Sequence, residues 1–151
     1  MRIRKFRKED ARGVSNVICR AQRETLAGVY PKKSIELFCS ERQPSDILRL
    51  SKKRVLFVAE EKGKIVGVAG YEGEKVRTVS THPKYLRRGI GKKLVNKVID
   101  YAKKKGVKIL KLGSTPYAEE FYKKCGFKRV SKARYNYKGI VVDVIRMKME
   151  L

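Results

Sequence analysis

The run His82-Pro83-Lys84-Tyr85-Leu86-Arg87-Arg88-Gly89-Ile90-Gly91-Lys92-Lys93-Leu94 constrains this chain more than any other. It follows a predicted strand, Lys75–Thr81, and opens a predicted amphipathic helix with Leu94, Val95, Val98, Ile99 and Ala102 on one face. Two glycines one residue apart let the backbone turn tightly and approach a ligand closely. The helix behind them directs its unpaired N–H groups at that ligand. A strand, glycine loop and helix start in this order form an anion cradle, suited above all to phosphate. Arg87, Arg88, Lys92 and Lys93 surround the glycines. The plainer alternative is a tight turn that begins a surface helix with solvated basic side chains. Two familiar phosphate loops are excluded. A Rossmann fingerprint needs a third glycine where Leu94 stands, and a Walker loop needs Gly-Lys-Ser/Thr where Gly91-Lys92-Lys93 stands.

The remaining pattern places this loop within a larger sheet. Arg2–Phe6 alternates polar and apolar and reads as a first strand. Asp10 precedes Val14, Val17, Ile18 and Ala21, which have helical spacing, and can cap that helix. Residues 27–43 are irregular to helical, and Ser45 or Asp46 can start a short helix. Val55–Ala59 and Ile65–Ala69 read as a hairpin. After the glycine-loop helix ends at Gly106, Val107–Leu112 reads as a fifth strand. Thr115 then caps a helix that begins at Pro116 and shows Ala118, Phe121, Tyr122 and Cys125 on one face. Phe127–Tyr137 and Ile140–Met149 form a last hairpin turning near Lys138-Gly139. The order is that of one mixed α/β domain spanning residues 1–151.

At 151 residues the chain can bury a real core. No apolar run reaches the roughly 18–20 residues that cross a bilayer, and no signal-peptide pattern opens the sequence, so a cytoplasmic protein is expected. Three cysteines, an odd number without metal-type spacing, and a single histidine point away from disulfides and zinc. Cys19, Cys39 and Cys125 read as small buried hydrophobes. The formal charge of +24 favours anionic ligands. It also fits a heavily charged, thermophile-like surface poor in Asn and Gln. The basic residues are spread along the chain without a nucleic-acid motif, so nucleic acid binding is expected to be nonspecific at most.

Three local features carry a resemblance. They are Val66-Gly67-Val68-Ala69, the His-Pro-Lys-Tyr segment leading into Arg87-Arg88-Gly89-Ile90-Gly91, and Ala118-Glu119-Glu120-Phe121-Tyr122-Lys123-Lys124-Cys125-Gly126-Phe127. In this order and spacing the chain resembles the GNAT superfamily of acetyl-coenzyme A-dependent N-acetyltransferases, most strongly from Val55 to Phe127. The resemblance implies a mixed, mostly antiparallel sheet of about seven strands flanked by helices. It implies acetyl-coenzyme A as acetyl donor, an amine as acceptor and no metal. Backbone groups of Val79, Ser80 and Thr81 are expected to pair with the pantetheine arm as a pseudo-strand. Amides of Arg87, Arg88, Gly89, Ile90, Gly91 and Lys92 are expected to hold the pyrophosphate. Leu86 departs from the family's Gln or Arg, and Thr115 stands where many members have Asn.

Transfer requires a neutral amine. A lysine-like amine titrates near ~10.4, so deprotonating it at pH 7 costs about 4.6 kcal/mol. The resemblance makes Tyr122 the acid for the departing thiolate and places an oxyanion donor at a backbone N–H near Val79. Pattern alone makes Tyr122 a core tyrosine. The base stays open. Lys75 occupies the family's strand-four glutamate position. Glu74 beside it would face the other side unless a β-bulge re-aims it. Glu72, His82 and an ordered water are further options. A small-molecule amine is the expected acceptor. Arg134-Tyr135-Asn136-Tyr137 is similar to segments of protein N-terminal acetyltransferases, which makes those the alternative. A non-catalytic basic nucleic-acid module is the alternative of another class, and a homodimer is a further option for partners.

Overall fold

The computed structural model describes all 151 residues. Seven strands form one sheet: β1 (Arg2–Lys5), β2 (Val55–Glu61), β3 (Lys64–Glu72), β4 (Lys75–Thr81), β5 (Ile109–Ser114), β6 (Lys128–Tyr137) and β7 (Ile140–Glu150). Five helices accompany them: α1 (Ala11–Thr25), α2 (Lys32–Ser40), α3 (Pro44–Lys53), α4 (Ile90–Lys104) and α5 (Glu119–Lys124). The spatial order is β1-β2-β3-β4-β5-β7-β6. All neighbours are antiparallel except β4 and β5, which are parallel. This is the mixed, mostly antiparallel seven-strand sheet expected.

Each face of the sheet buries its own apolar layer. Leu94, Val95, Val98, Ile99 and Ala102 of α4 pack with Phe57, Ala69, Val76, Leu110, Leu112 and Met147 of the strands. Val14, Val17 and Ile18 of α1 and Ile47 of α3 pack with Leu56, Val58 and Val68 on the other face. The opposite assignment of Phe57 and Leu56 follows from the two-residue strand period. Gly67 lets α4 lie close: a methyl added there would sit 2.7 Å from Leu94 Cδ1.

One helix cap and two boundaries differ from the sequence expectation. Asp10 precedes α1, but its carboxylate makes no helix cap; it accepts the Arg7 N–H at 2.8 Å and the Arg4 guanidinium at 2.8 and 3.0 Å. Arg4 also reaches Glu60, so this ion network ties β1, the approach to α1 and β2 together. Burial pushes the Asp10 carboxyl up, and the Arg4 and Arg7 contacts outweigh it to leave the pKa below its ordinary value. The fifth strand begins at Ile109, because the Val107 N–H still bonds to Ala102 O behind α4. Pro116–Ala118 is a 3-10 turn, capped by Thr115 Oγ1 accepting from Ala118 N at 3.3 Å, and α5 proper begins at Glu119.

Candidate active site

The parallel neighbours β4 and β5 touch only at their start. Lys75 pairs with Lys111, and Lys111 N donates to Glu74 O at 3.0 Å. From there the strands part, which leaves the β5-facing edge of β4 without a strand partner toward Thr81. A bulge in β4 accompanies the opening. Val68 pairs with Ser80 and Gly70 with Arg77, so Ala69 alone faces both Thr78 and Val79. Thr78 has φ +58. For a β-branched residue this left-handed conformation is a strained outlier, costing on the order of 1–3 kcal/mol. Arg54 braces it, donating to Thr78 Oγ1 at 2.6 Å and to Glu72 Oε1 at 2.7 Å. Val79, Ser80 and Thr81 continue from the bulge along this open edge.

The wedge leads to the glycine loop. Arg87 at φ +64 and Gly89 at φ +75 bracket Arg88 in left-handed backbone. Gly89 is the N-cap of α4 and supplies no side-chain cap. The N–H groups of Arg87, Arg88, Gly89, Ile90, Gly91 and Lys92 donate to no protein atom; Lys93 N is the first to bond, to Gly89 O at 3.0 Å. Six free donors on a turn with alternating backbone hands form an anion nest at a helix N-terminus. The basic side chains stay at the rim: Arg88 approaches Glu61 at 3.7 Å and lies over the Tyr85 ring at 5.0 Å. The two glycines serve different ends. A methyl at Gly89 would meet nothing, so its requirement is the left-handed backbone. A methyl at Gly91 would lie 3.2 Å from Phe121 Cζ and 3.4 Å from Thr81 Oγ1, so its requirement is packing of α4 against α5.

Tyr122 projects from α5 between Phe121 and Phe127, with ring centroids 5.0 and 6.1 Å away in edge-on geometry. Its ring belongs to the core, and only 9% of the residue is exposed. Its hydroxyl has no protein hydrogen-bond partner, yet the only fully enclosed unpaired polar side-chain atom is Arg4 Nε. The Tyr122 hydroxyl therefore keeps an open side. Burial, then the nearby Cys125, pushes its pKa above the ordinary tyrosine value.

The possible bases are placed apart. His82 is 1% exposed, its Nδ1 accepts the Lys84 N–H at 3.1 Å, and its ring stands edge-on to Tyr85. Burial, then Arg20, Lys64 and Lys84, lowers its pKa, so it is a neutral structural imidazole. Glu72 is held by Arg54, which depresses its pKa. Glu74 lies outside the strand, exposed in the β3–β4 turn at φ +63. The bulge that was to re-aim it does exist, but it sits downstream at Thr78–Val79. Val79 lies five positions beyond Glu74 along the strand, roughly 16 Å.

Arg77 stands on the face of β4 opposite Val76, Arg54 reaches the adjacent Thr78, and the charges of Arg54 and Arg42 both act on Arg77; the sequence singled out none of the three. Beyond them, Phe38 of α2 packs on Tyr30 at 5.8 Å and on Tyr137 of β6 at 6.1 Å. Glu41 accepts from the Tyr137 hydroxyl and from Lys138 Nζ, which joins the β6–β7 tip to the end of α2. No group of His, Cys, Asp and Glu is arranged to hold a metal ion, and no helix is long and apolar enough to cross a membrane.

Comparison with known proteins matches this architecture. Residues 10–151 match the family model described as an acetyltransferase (GNAT) domain. An uncharacterized N-acetyltransferase of Methanocaldococcus jannaschii is 36% identical over 84 residues, which is 54% of this chain and 37% of that protein's length. The fold aligns with a GCN5-related N-acetyltransferase of Rhodopseudomonas palustris at a TM-score of 0.91 and 20% identity, covering 99% of this chain and 95% of the other. The PaiA N-acetyltransferase of Thermoplasma acidophilum, solved in complex with coenzyme A, aligns at 0.81 and 23% identity over 99% and 98% of the two chains.

Proposed function

Because the chain belongs to the GNAT acetyltransferase family, we propose that it moves the acetyl group of acetyl-coenzyme A onto the amine of a small molecule. The observation that carries this reading is the row of six unbonded amides, Arg87 to Lys92, at the mouth of the β4–β5 wedge. Those amides receive the pyrophosphate. The open edge at Val79, Ser80 and Thr81 pairs with the pantetheine arm as an added strand would. The net charge of +24 draws the polyanionic donor toward the nest.

Bound acetyl-coenzyme A supplies an activated thioester; a new N–C bond forms as the C–S bond breaks, and the amine proton ends on the thiol. The Val79 N–H is the proposed donor to the carbonyl oxygen as negative charge develops there. Tyr122 is the proposed donor to the departing sulfur. With its pKa raised by burial it is protonated throughout the neutral range. A thiol titrates near ~8.5 and an ordinary tyrosine near ~10, so full proton transfer from Tyr122 is uphill by at least about 2 kcal/mol. Tyr122 therefore acts as a hydrogen-bond donor to the thiolate, and any proton it gives is returned from the amine. Glu74, at the closed end of the wedge, is given no direct contact with the amine; water relays the amine proton toward the departing sulfur.

The test is a panel of amines and peptide N-termini with acetyl-coenzyme A, reading both free thiol and acetylated product by mass. Stoichiometric thiol and product from a small amine is the expected result. Acetyl-coenzyme A that fails to bind at all overturns the reading.

A further inference from the structure

The acceptor side of the wedge carries a charge imbalance that acetyl transfer alone does not require. Arg77 stands opposite Gly70, one residue before the strained Thr78 and on the sheet face away from α4. Its neighbours Arg54 and Arg42 are both committed. Arg54 is bonded to Glu72 and Thr78, and Arg42 donates to Glu41 O at 2.8 Å. The carboxylates of the region are committed as well: Glu72 to Arg54, Glu41 to Tyr137 and Lys138, and Asp143 to Arg134 and Lys132. Of the three arginines, only Arg77 has neither an ion pair nor a side-chain hydrogen bond. It is exposed enough to be reached, yet partial burial and then the positive field of Arg54 lower its pKa, with Glu72 opposing them in part and Arg42 adding to them. A guanidinium beside two like charges, whose one nearby carboxylate, Glu72, is bonded to Arg54, gains from an anion supplied from outside. Its planar fork suits the two oxygens of a carboxylate.

We propose that the acceptor amine carries a carboxylate, and that Arg77, with Arg54 and Arg42 behind it, receives that group while the amine faces the thioester. The inference rests on the acetyl-transfer reading above and narrows it. The carboxylate fixes the acceptor's orientation, and the amine alone reacts. The same surface disfavours di- and polyamines, whose second cation would meet three guanidiniums. Free amino acids and acidic peptides share the required chemistry.

The experiment compares matched acceptors: amino acids against the alkylamines that lack only their carboxylate, and acidic against basic tetrapeptides with capped C-termini. Acetylated product is read by mass at fixed acetyl-coenzyme A. The expected result is at least a tenfold higher kcat/KM for the carboxylate-bearing member. Arg77→Gln brings that member down to its partner's level through KM, and Arg77→Lys restores part of the difference. The amino-acid and peptide arms identify which source fits. Calorimetry with acetyl-coenzyme A checks that Arg77→Gln keeps the donor site. Equal use of both members, preference for the alkylamine or the basic peptide, or an equal loss on both acceptors in Arg77→Gln overturns this proposal while leaving acetyl transfer standing. No transfer to any acceptor overturns both.

Discussion

The two ends of the wedge are built from different materials. At the proposed donor end the groups are six unbonded backbone amides, held in place by the left-handed turns at Arg87 and Gly89. At the proposed acceptor end the groups are side chains, Arg42, Arg54 and Arg77, gathered from a loop, a helix end and a strand. A backbone site is specified by where glycine and the chain direction stand, and it tolerates many side chains at its rim. A side-chain site is specified by residue type at positions far apart in sequence, and it tolerates little. The glycine loop therefore suits an invariant ligand such as a pyrophosphate, and the arginine cluster is the end that single residue changes would retune most readily.

The largest effect is expected where the two ends meet. Tyr122→Phe should lower kcat by about 10²-fold, the low end for acid assistance, because the thiolate is already a fair leaving group. Its hydroxyl bonds to no protein atom, so acetyl-coenzyme A affinity and melting temperature should both hold. Because burial raises the Tyr122 pKa, the wild-type rate should show no alkaline fall from this group below pH 10. Unchanged kcat removes Tyr122 from the mechanism, and a lowered melting temperature beside it returns the residue to the core.

At the donor end, Gly89→Val forces a β-branched residue into left-handed backbone, a strain of about 1–3 kcal/mol. Calorimetry should show a loss of acetyl-coenzyme A affinity on the order of 10- to 100-fold, whereas Gly89→Asn, which accepts that backbone, should lose little. Equal losses in both would mean that side-chain bulk matters at Gly89, against the comparison drawn here. Gly91→Val tests the other glycine. Its added atoms press on Phe121 and Thr81, so the effect should appear as about 1–3 kcal/mol of stability in denaturant titration. The smallest effect belongs to Glu74→Gln, expected to change kcat less than about twofold if water takes the amine proton. A tenfold fall would restore Glu74 as the base.

The same division explains what the sequence disclosed. The glycine loop, the hairpins and the helix periods are local patterns, so β4 is found at Lys75–Thr81 and β6 and β7 meet at Lys138-Gly139, both at positive φ. The bulge is different. Thr78 is an ordinary strand residue by type, and its left-handed backbone is braced by Arg54, 24 positions earlier. Nothing near residue 78 in the sequence marks it. Arg77 is equally silent, one cation among 39 Lys and Arg, until the ion pairs show that its neighbours are taken. Asp10 shows a local signal answered from a distance: it stands where a helix cap belongs, and Arg4 claims its carboxylate.

The central claim is that backbone amides of the glycine loop hold the donor's phosphates. It is tested most directly by titrating the isotope-labelled protein with coenzyme A and following each amide by nuclear magnetic resonance. The N–H signals of Arg87, Arg88, Gly89, Ile90, Gly91 and Lys92 should shift downfield together with saturation, and pantetheine, which lacks the pyrophosphate, should leave them in place. Saturable coenzyme A binding with these six signals unmoved would contradict it.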